Sequence, residues 1–383
     1  SGGTFDVQFS EVSSTSTSGG ESLTISAGSG SLYIPTGSIT AANNGAIKIS
    51  GSSLALDVSL VSVSSSNTAK GISISGTTGT FKINGSGATN GSGGTIQNIS
   101  GRGMEFITAS GITIKNVNMV NANTTDGTVP LGLDNSNANA AIHANGVSGL
   151  SLDNVDITGT VSQEGINLRG VSNFTFSNGT IANGGTLGTS EEGCIYAINT
   201  TGTCSIINSS FSNPGGRAVY FDNTNTNLTQ LTVSGSTFDN ADNGSGVQMY
   251  GRGSSTMNLR IVGNSQFTRC RSAGVEAYCT DNSVIQLDVI GCTINPTDDV
   301  GTAVDVGASG NGTAKFNVNN NTVSTRNGPA LNFFASGSGY MEGNVTANTI
   351  SKVSQAGSAI RVSNNNTSAH STVRIKDNTL VNW

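Results

Sequence analysis

The stretch Gly301–Arg326, GTAVDVGASGNGTAKFNVNNNTVSTR, decides how the whole chain is read. Two runs of alternating polarity, AVDV and KFNV, are joined by a Gly/Ser/Asn turn, and an Asn cluster follows the second. Alternation with period two puts the apolar residues of a short strand on one side and the polar ones on the other. The pattern then repeats. A small residue, an aliphatic, a polar and an apolar residue recur as AIHA from Ala141, GINL from Gly165, CIYA from Cys194, AVYF from Ala218 and GVQM from Gly246. GVEA from Gly274, AVDV from Ala303, ALNF from Ala330 and AIRV from Ala359 continue the series. SLTI from Ser22, AIKI from Ala46, GISI from Gly71 and GMEF from Gly103 are looser, earlier copies. Successive starts lie 24 to 29 residues apart, with two longer steps around Gly103 and Ala141. Periods of that size belong to stacked-repeat architectures.

Each first run is followed by a second: ITI, LSL, FTF, CSI, LTV, LRI, LDV, FNV and VRI. Then comes Asn or Gly, two residues, and an apolar one, as in NGTI, NSSF, GSTF, NSQF, GCTI and NNTV. Asn and Gly tolerate the left-handed backbone of a tight corner. Three short strands per repeat result, none with a partner near enough in sequence for a hairpin. Such strands are satisfied by lying parallel, one coil above another, so that each coil buries its apolar face on its neighbours. The fold expected is all-β: a solenoid of about thirteen coils forming one continuous domain over residues 1–383, with longer loops at 120–140 and 183–193. A β-sandwich would need hairpin signals between adjacent runs throughout.

Composition supports an ordered but weakly charged chain. Only 10% of the 383 residues are charged, and 52 are Gly, a balance shared with disordered segments. The regular alternation of Val, Ile, Leu and Phe argues against disorder, which has no reason to keep it. A net charge of -6 disfavours a nucleic-acid partner, which would need a basic stripe. No apolar run approaches the ~18 residues of a membrane span, so this segment is not expected to insert. No signal peptide is read, and the start at Ser1 reads as a processed product or an excised fragment. Five cysteines, Cys194, Cys204, Cys270, Cys279 and Cys292, show no CxxC pair or metal-ligand spacing and are read as buried or incidental thiols.

The coil signature resembles the right-handed parallel β-helix class, the architecture shared with pectate-lyase-like enzymes, over nearly the whole chain. More narrowly, GTAVDVGASGNGTAKFNVNNNTVS and GSAIRVSNNNTSAHSTVRIKDNTL resemble the repeats of large bacterial surface and secreted proteins. The resemblance implies an extracellular or cell-surface location and an adhesin or scaffold role without an assigned reaction. In the enzymes that share the fold, loops preceding the first strand wall a cleft beside it. Here the inserts NANTTDGTVPLGLDNSNAN and NGGTLGTSEEG would flank His143 through Tyr220.

If the aliphatic residues of the first run point inward, the residues between them form an outward line. It carries His143, Asn167, Arg169, Tyr196, Tyr220, Asp222, Gln248, Tyr250, Glu276, Tyr278, Asp305, Asn332, Phe334 and Arg361. Four of the 6 tyrosines fall on it. An aromatic line with carboxylates, amides and Arg suits a sugar chain, and it equally suits a stabilising cross-strand ladder. The ligand-binding candidates are His143, Arg169, Tyr196, Tyr220, Asp222, Tyr250, Glu276, Tyr278 and Asp305. Were the protein an enzyme, Asp222, Glu276 and Asp305 would be its catalytic acids. Glu276 and Asp305 would sit one coil apart, about 5 Å, a spacing compatible with glycosidase chemistry. Arg252, Arg269 and Arg271 would neutralise a uronate or pair with surface acids.

Neither His has a recognisable catalytic partner, and no cofactor is called for. Asp298 and Asp299 lie in a turn where calcium has no supporting motif, because the GGxGxD repeat is absent. No capping helix is read at either end, and the only Trp is Trp383. The chain is therefore expected to be a segment of a longer protein or a subunit stacking end to end with further β-helix domains. Two functions stay open: an extracellular structural or adhesin module binding glycans along the Tyr-rich strip, or a polysaccharide lyase or glycoside hydrolase working beside it.

Overall fold

A computed structural model describes residues 4–127, 138–186, 192–241, 243–295, 301–325, 328–352 and 357–382. Asp298, Asp299 and Trp383 lie outside these residues, as do the central parts of the two long inserts. The chain groups into two compact units, Ser1–Thr186 and Leu187–Trp383. Each is a parallel β-solenoid. Together they hold about 12 turns, in agreement with the number read from the repeat.

The C-terminal unit is the more regular. Its first strands are Gly193–Ile198, Arg217–Thr224, Val247–Arg252, Ala273–Cys279, Thr302–Ala308, Leu331–Ala335 and Ile360–Asn364. They stack in parallel register, so that Ile195, Val219, Val247, Val275, Val304 and Leu331 form one inward column. All six are fully buried, each contributing about 1.5–3 kcal/mol of transfer free energy. The second runs stack likewise, with Cys204, Leu231, Leu259, Leu287 and Phe316 in one column. Third strands such as Ser210–Ser212 and Thr237–Asp239 bring Phe211, Phe238 and Phe267 face to face at 5.0 and 4.7 Å. The five cysteines are buried thiols. Burial pushes Cys279 and Cys292 up to about 12, which keeps them out of thiolate chemistry.

The corner residues behave as their types require. Asn178, Asn208, Gly235, Asn264, Gly291 and Asn320 all have φ between 50° and 66°, the left-handed region that Asn and Gly reach most cheaply. The next two turns place Ala347 (φ 56°) and Asp377 (φ 57°) at the same corner. Just inside it runs a buried polar ladder. The Asn321 amide donates to Asn348 Oδ1 at 2.9 Å, and the Asn348 amide donates to Asn378 Oδ1 at 2.9 Å.

In the N-terminal unit several strands continue round the corners: Ile47–Leu60, Ser62–Ile83 and Thr95–Ile107 span 14, 22 and 13 residues. Ser, Thr and Gly dominate these bends, where the register shifts between Ser50 and Leu54 and between Thr68 and Lys70. The inward column here is Leu23, Ile47, Ile72, Met104, Ile142 and Ile166. An outer ladder of left-handed asparagines links successive turns, with Asn67, Asn98 and Asn121 each donating to the Asn one turn before at 3.1–3.2 Å.

Candidate functional site

The outward residues of the first strands form two adjacent rows in the C-terminal unit, not one. The first row runs Tyr196, Tyr220, Gln248, Glu276, Asp305, Asn332 and Arg361. The second, two residues further along each strand, runs Ile198, Asp222, Tyr250, Tyr278, Gly307 and Phe334. The four tyrosines therefore share a face but divide into two pairs. Tyr196 and Tyr220 lie 5.1 Å apart between ring centroids, while Tyr250 and Tyr278 meet edge to face at 6.1 Å. Phe334 reaches across Gly307 to Tyr278 at 5.5 Å. A Cβ on Gly307 would lie 2.4 Å from the Phe334 ring, so only glycine lets the two rings meet.

Outward acids are ordinarily solvated, and the sequence expectation of surface carboxylates fails here. Asp222 has no solvent exposure and Glu276 has 7%; Asp305 is half-buried. Asp222 accepts the Tyr220 hydroxyl at 2.5 Å and Arg252 Nε at 3.2 Å, with Arg252 Nη2 at 3.1 Å. The Arg252 guanidinium lies 4.0 Å from the Tyr250 centroid, and that of Arg217 lies 4.5 Å from the Tyr220 centroid. One turn beyond Tyr250, the Tyr278 hydroxyl donates to Asp305 Oδ2 at 2.6 Å, and Asn332 Nδ2 donates to Asp305 Oδ1 at 2.9 Å. Glu276, directly across the ladder from Asp305, accepts the Ser245 hydroxyl and also meets the Tyr278 hydroxyl.

These surroundings set the protons. Burial pushes Glu276 above its ordinary value, against the Ser245 hydroxyl, and the charge of Asp305 pushes it further. Burial likewise raises Asp305, opposed by Tyr278, Asn332 and the Arg361 charge. Both carboxyls are thus harder to ionise than free ones. Two titratable groups with unequal environments are what acid–base chemistry requires. Burial raises Asp222 too, even against Tyr220 and Arg252. Tyr220 and Tyr278 are driven far above the usual phenol range, first by burial and then by the carboxylates they face. Both stay protonated donors.

Of the remaining arginines, Arg269 pairs with Asp239 beside a third strand and Arg271 donates to Asn243 at 3.1 Å. They belong to other faces than the two rows.

In the N-terminal unit the corresponding outward positions form a row of Lys48, Ser73, Glu105, His143 and Asn167. Glu105 is buried, and its oxygens accept Lys70 Nζ at 2.7 and 2.9 Å, Arg102 Nη1 at 2.6 Å and Ser73 Oγ at 2.9 Å. Burial pushes Glu105 up, but Lys70, Arg102 and Ser73 outweigh it and hold the carboxyl below its ordinary value. His143 is fully buried, and burial together with the Arg102 charge lowers it to about 3, so it is neutral. Arg169 is buried two residues beyond Asn167, opposite Asn145. Sequence reasoning passed over Glu105, Lys70 and Ser245. Glu105 occupies in GMEF the offset that His143 occupies in AIHA, so the repeat alone could have marked it.

Among the described residues no group of three His, Cys, Asp or Glu side chains is placed to hold a metal ion. Residues 132–294 match the family described as a right handed beta helix region. The fold is a right-handed parallel β-helix. No curated protein matches the chain in sequence. Among solved structures, this β-helix is similar to the A-module of the Azotobacter vinelandii mannuronan C-5 epimerase AlgE4, with a TM-score of 0.36 and 12% identity, covering 86% of this chain and 89% of that chain.

Proposed function

We propose that the C-terminal unit of this β-helix acts on an extracellular polysaccharide, cleaving it as a lyase or glycoside hydrolase at Glu276, Tyr278 and Asp305. One observation carries this reading: two carboxylates on neighbouring turns, both raised by burial, converge on one tyrosine hydroxyl. Taking charge out of water costs several kcal/mol per ion, and a scaffold gains nothing from that expense. Reaction chemistry does gain. Glu276, raised by burial and by the charge of Asp305, suits the donor of a proton to a departing glycosidic oxygen, and Asp305 suits the acceptor. Tyr250 and Tyr278 keep partial exposure on the same side and are the tyrosines of the strip open to a sugar. Arg217, Arg252 and Arg361 border the acids and favour a chain bearing uronate groups.

The test is a degradation assay on uronate and neutral polysaccharides, scoring new reducing ends against unsaturated uronates. Cleavage abolished in Glu276→Gln and in Asp305→Asn supports the reading. Cleavage that survives both substitutions, or no cleavage of any polymer, removes it. A second reading, a surface module that binds glycans without altering them, is favoured by the Tyr220–Asp222–Arg252 triad, whose polar groups satisfy one another. Binding without products would select that reading.

A further inference from the structure

The carboxyl pair of the C-terminal unit has an amide on each side, and the two amides meet it differently. Gln248, Glu276, Asp305 and Asn332 succeed one another up the first outward row, each opposite the next in the parallel register. On the far side, Asn332 Nδ2 donates to Asp305 Oδ1 at 2.9 Å, and the Tyr278 hydroxyl donates to Asp305 Oδ2 at 2.6 Å. Both oxygens of Asp305 therefore accept, the condition that favours a carboxylate.

On the near side, Gln248 is 3% exposed, and its Oε1 is buried without a hydrogen-bond partner. A buried acceptor that lacks a donor is costly, so the missing donor matters. The row offers Gln248 two neighbours. The Tyr220 hydroxyl, one turn before, is committed to Asp222 at 2.5 Å. Glu276, one turn after and 7% exposed, bears a donor only while its carboxyl is protonated. Protonated Glu276 supplies what Gln248 lacks; ionised Glu276 sets two acceptors against each other.

The other groups facing Glu276 fit a proton there. The Ser245 hydroxyl donates to Oε2, which leaves the second oxygen for the proton. Tyr278 has one hydroxyl proton, directed at Asp305, so the phenol presents its oxygen to Glu276. Burial disfavours a charge on Glu276, as does the charge of Asp305, while Ser245, Tyr278 and the Arg217 charge work the other way.

From the register of the row and the orphaned Oε1, we infer that Gln248 is a positioning residue. It accepts a hydrogen bond from the Glu276 carboxyl and keeps the single proton of the Glu276–Asp305 pair on Glu276. Asp305, held by two donors, is the member that ionises. The use of this proton in bond cleavage rests on the activity proposed above; its location does not.

Carboxyl ¹³C NMR of the full chain, labelled at glutamate and aspartate, locates the proton without any substrate. Glu276 and Asp305 are identified by the resonances lost in Glu276→Gln and Asp305→Asn. The expected order, as pH rises, is Asp305 first and Glu276 second. Gln248→Met keeps the side-chain length and removes the acceptor, so Glu276 should titrate about one pH unit lower. On the polymer identified in the degradation assay, the alkaline limb of the cleavage profile should move down equally. Glu276 ionising before Asp305 in the unaltered chain overturns the inference, and that result requires no variant to fold. A Glu276 titration that stays fixed in Gln248→Met also overturns it, as does one that rises, the sign of an amide donating to a carboxylate. Absence of cleavage with the expected order intact removes the activity and leaves the proton on Glu276.

Discussion

In the N-terminal unit, Glu105, His143 and Asn167 follow one another up an outward row; in the C-terminal unit, Gln248, Glu276 and Asp305 do the same. Each row is buried, Asp305 partly, although it faces away from the solenoid core. Their electrostatics run in opposite directions. The first holds a carboxylate ionised between two cations and an imidazole neutral. The second holds carboxyls that resist ionisation and share a phenol. Stacking geometry fixes which side chains become neighbours, and the choice of neighbours fixes the charge state. One fold thus supports two kinds of polar centre.

The largest expected effect separates the rows by chemistry. Glu276→Gln removes the proposed acid and should lower polysaccharide cleavage by about 10²–10⁴, the usual worth of a positioned acid. His143→Gln should leave the rate within about threefold, because a group outside the reacting centre supplies none of that factor. Initial rates on the polymer identified in the degradation assay check both.

Acid should then drive the units apart. An imidazole kept neutral by the fold takes up its proton more readily in the unfolded chain. Its contribution is present above 6.5 and is lost as pH falls toward about 3. By pH 4 that loss reaches about 3 kcal/mol. The depressed Glu105 adds to it below its ordinary value of 4.5. Glu276, raised, has the reverse sign: its contribution is present below 4.5 and fades as pH rises through its folded value. Hydrogen exchange, corrected for intrinsic rates, should show Ala140–Asn145 losing protection between pH 6.5 and 4 while Ala273–Cys279 does not. Equal losses in the two segments would contradict this assignment of charges.

A smaller effect sharpens the packing side of the C-terminal row. Gly307→Ala forces Phe334 away from Tyr278 and should cost about 1–3 kcal/mol, the range for overpacking. It should also loosen the Tyr278–Asp305 hydrogen bond, giving faster exchange of the tyrosine hydroxyl. The smallest effect concerns a corner outside either row. Ala347 stands in the left-handed conformation that Asn320 adopts one turn before. Ala347→Asn should stabilise by about 1 kcal/mol, seen as a higher midpoint in urea.

The repeat made most of the fold readable. The small–aliphatic–polar–apolar phrase predicts inward columns such as Val247, Val275 and Val304, and the structure places them in register. Asn and Gly at the corner positions predict left-handed backbone, and Asn178, Asn208 and Gly235 adopt it. Ala347 sits there without a permissive residue type, its N–H held by Lys376 O at 3.2 Å, whereas Asp377 is of a type that tolerates the conformation. The candidate site was less legible. The alternation places His143 and Glu276 outward, as they are, but an outward position here is not an exposed one. Tyr250 and Tyr278 were placed in the row of Tyr196 and Tyr220, although they fall two residues later along their strands.

What the sequence by itself determined is the winding: period-two alternation and a repeat of fixed length are local properties, and each turn adds its buried column independently of the rest. What only the tertiary structure decided is the environment of the outward side chains. Arg252 reaches Asp222 across 30 residues, and Asn332 reaches Asp305 across 27. Protonation and partnership depend on burial and on such distant contacts, and neither quantity is a property of any short stretch of sequence.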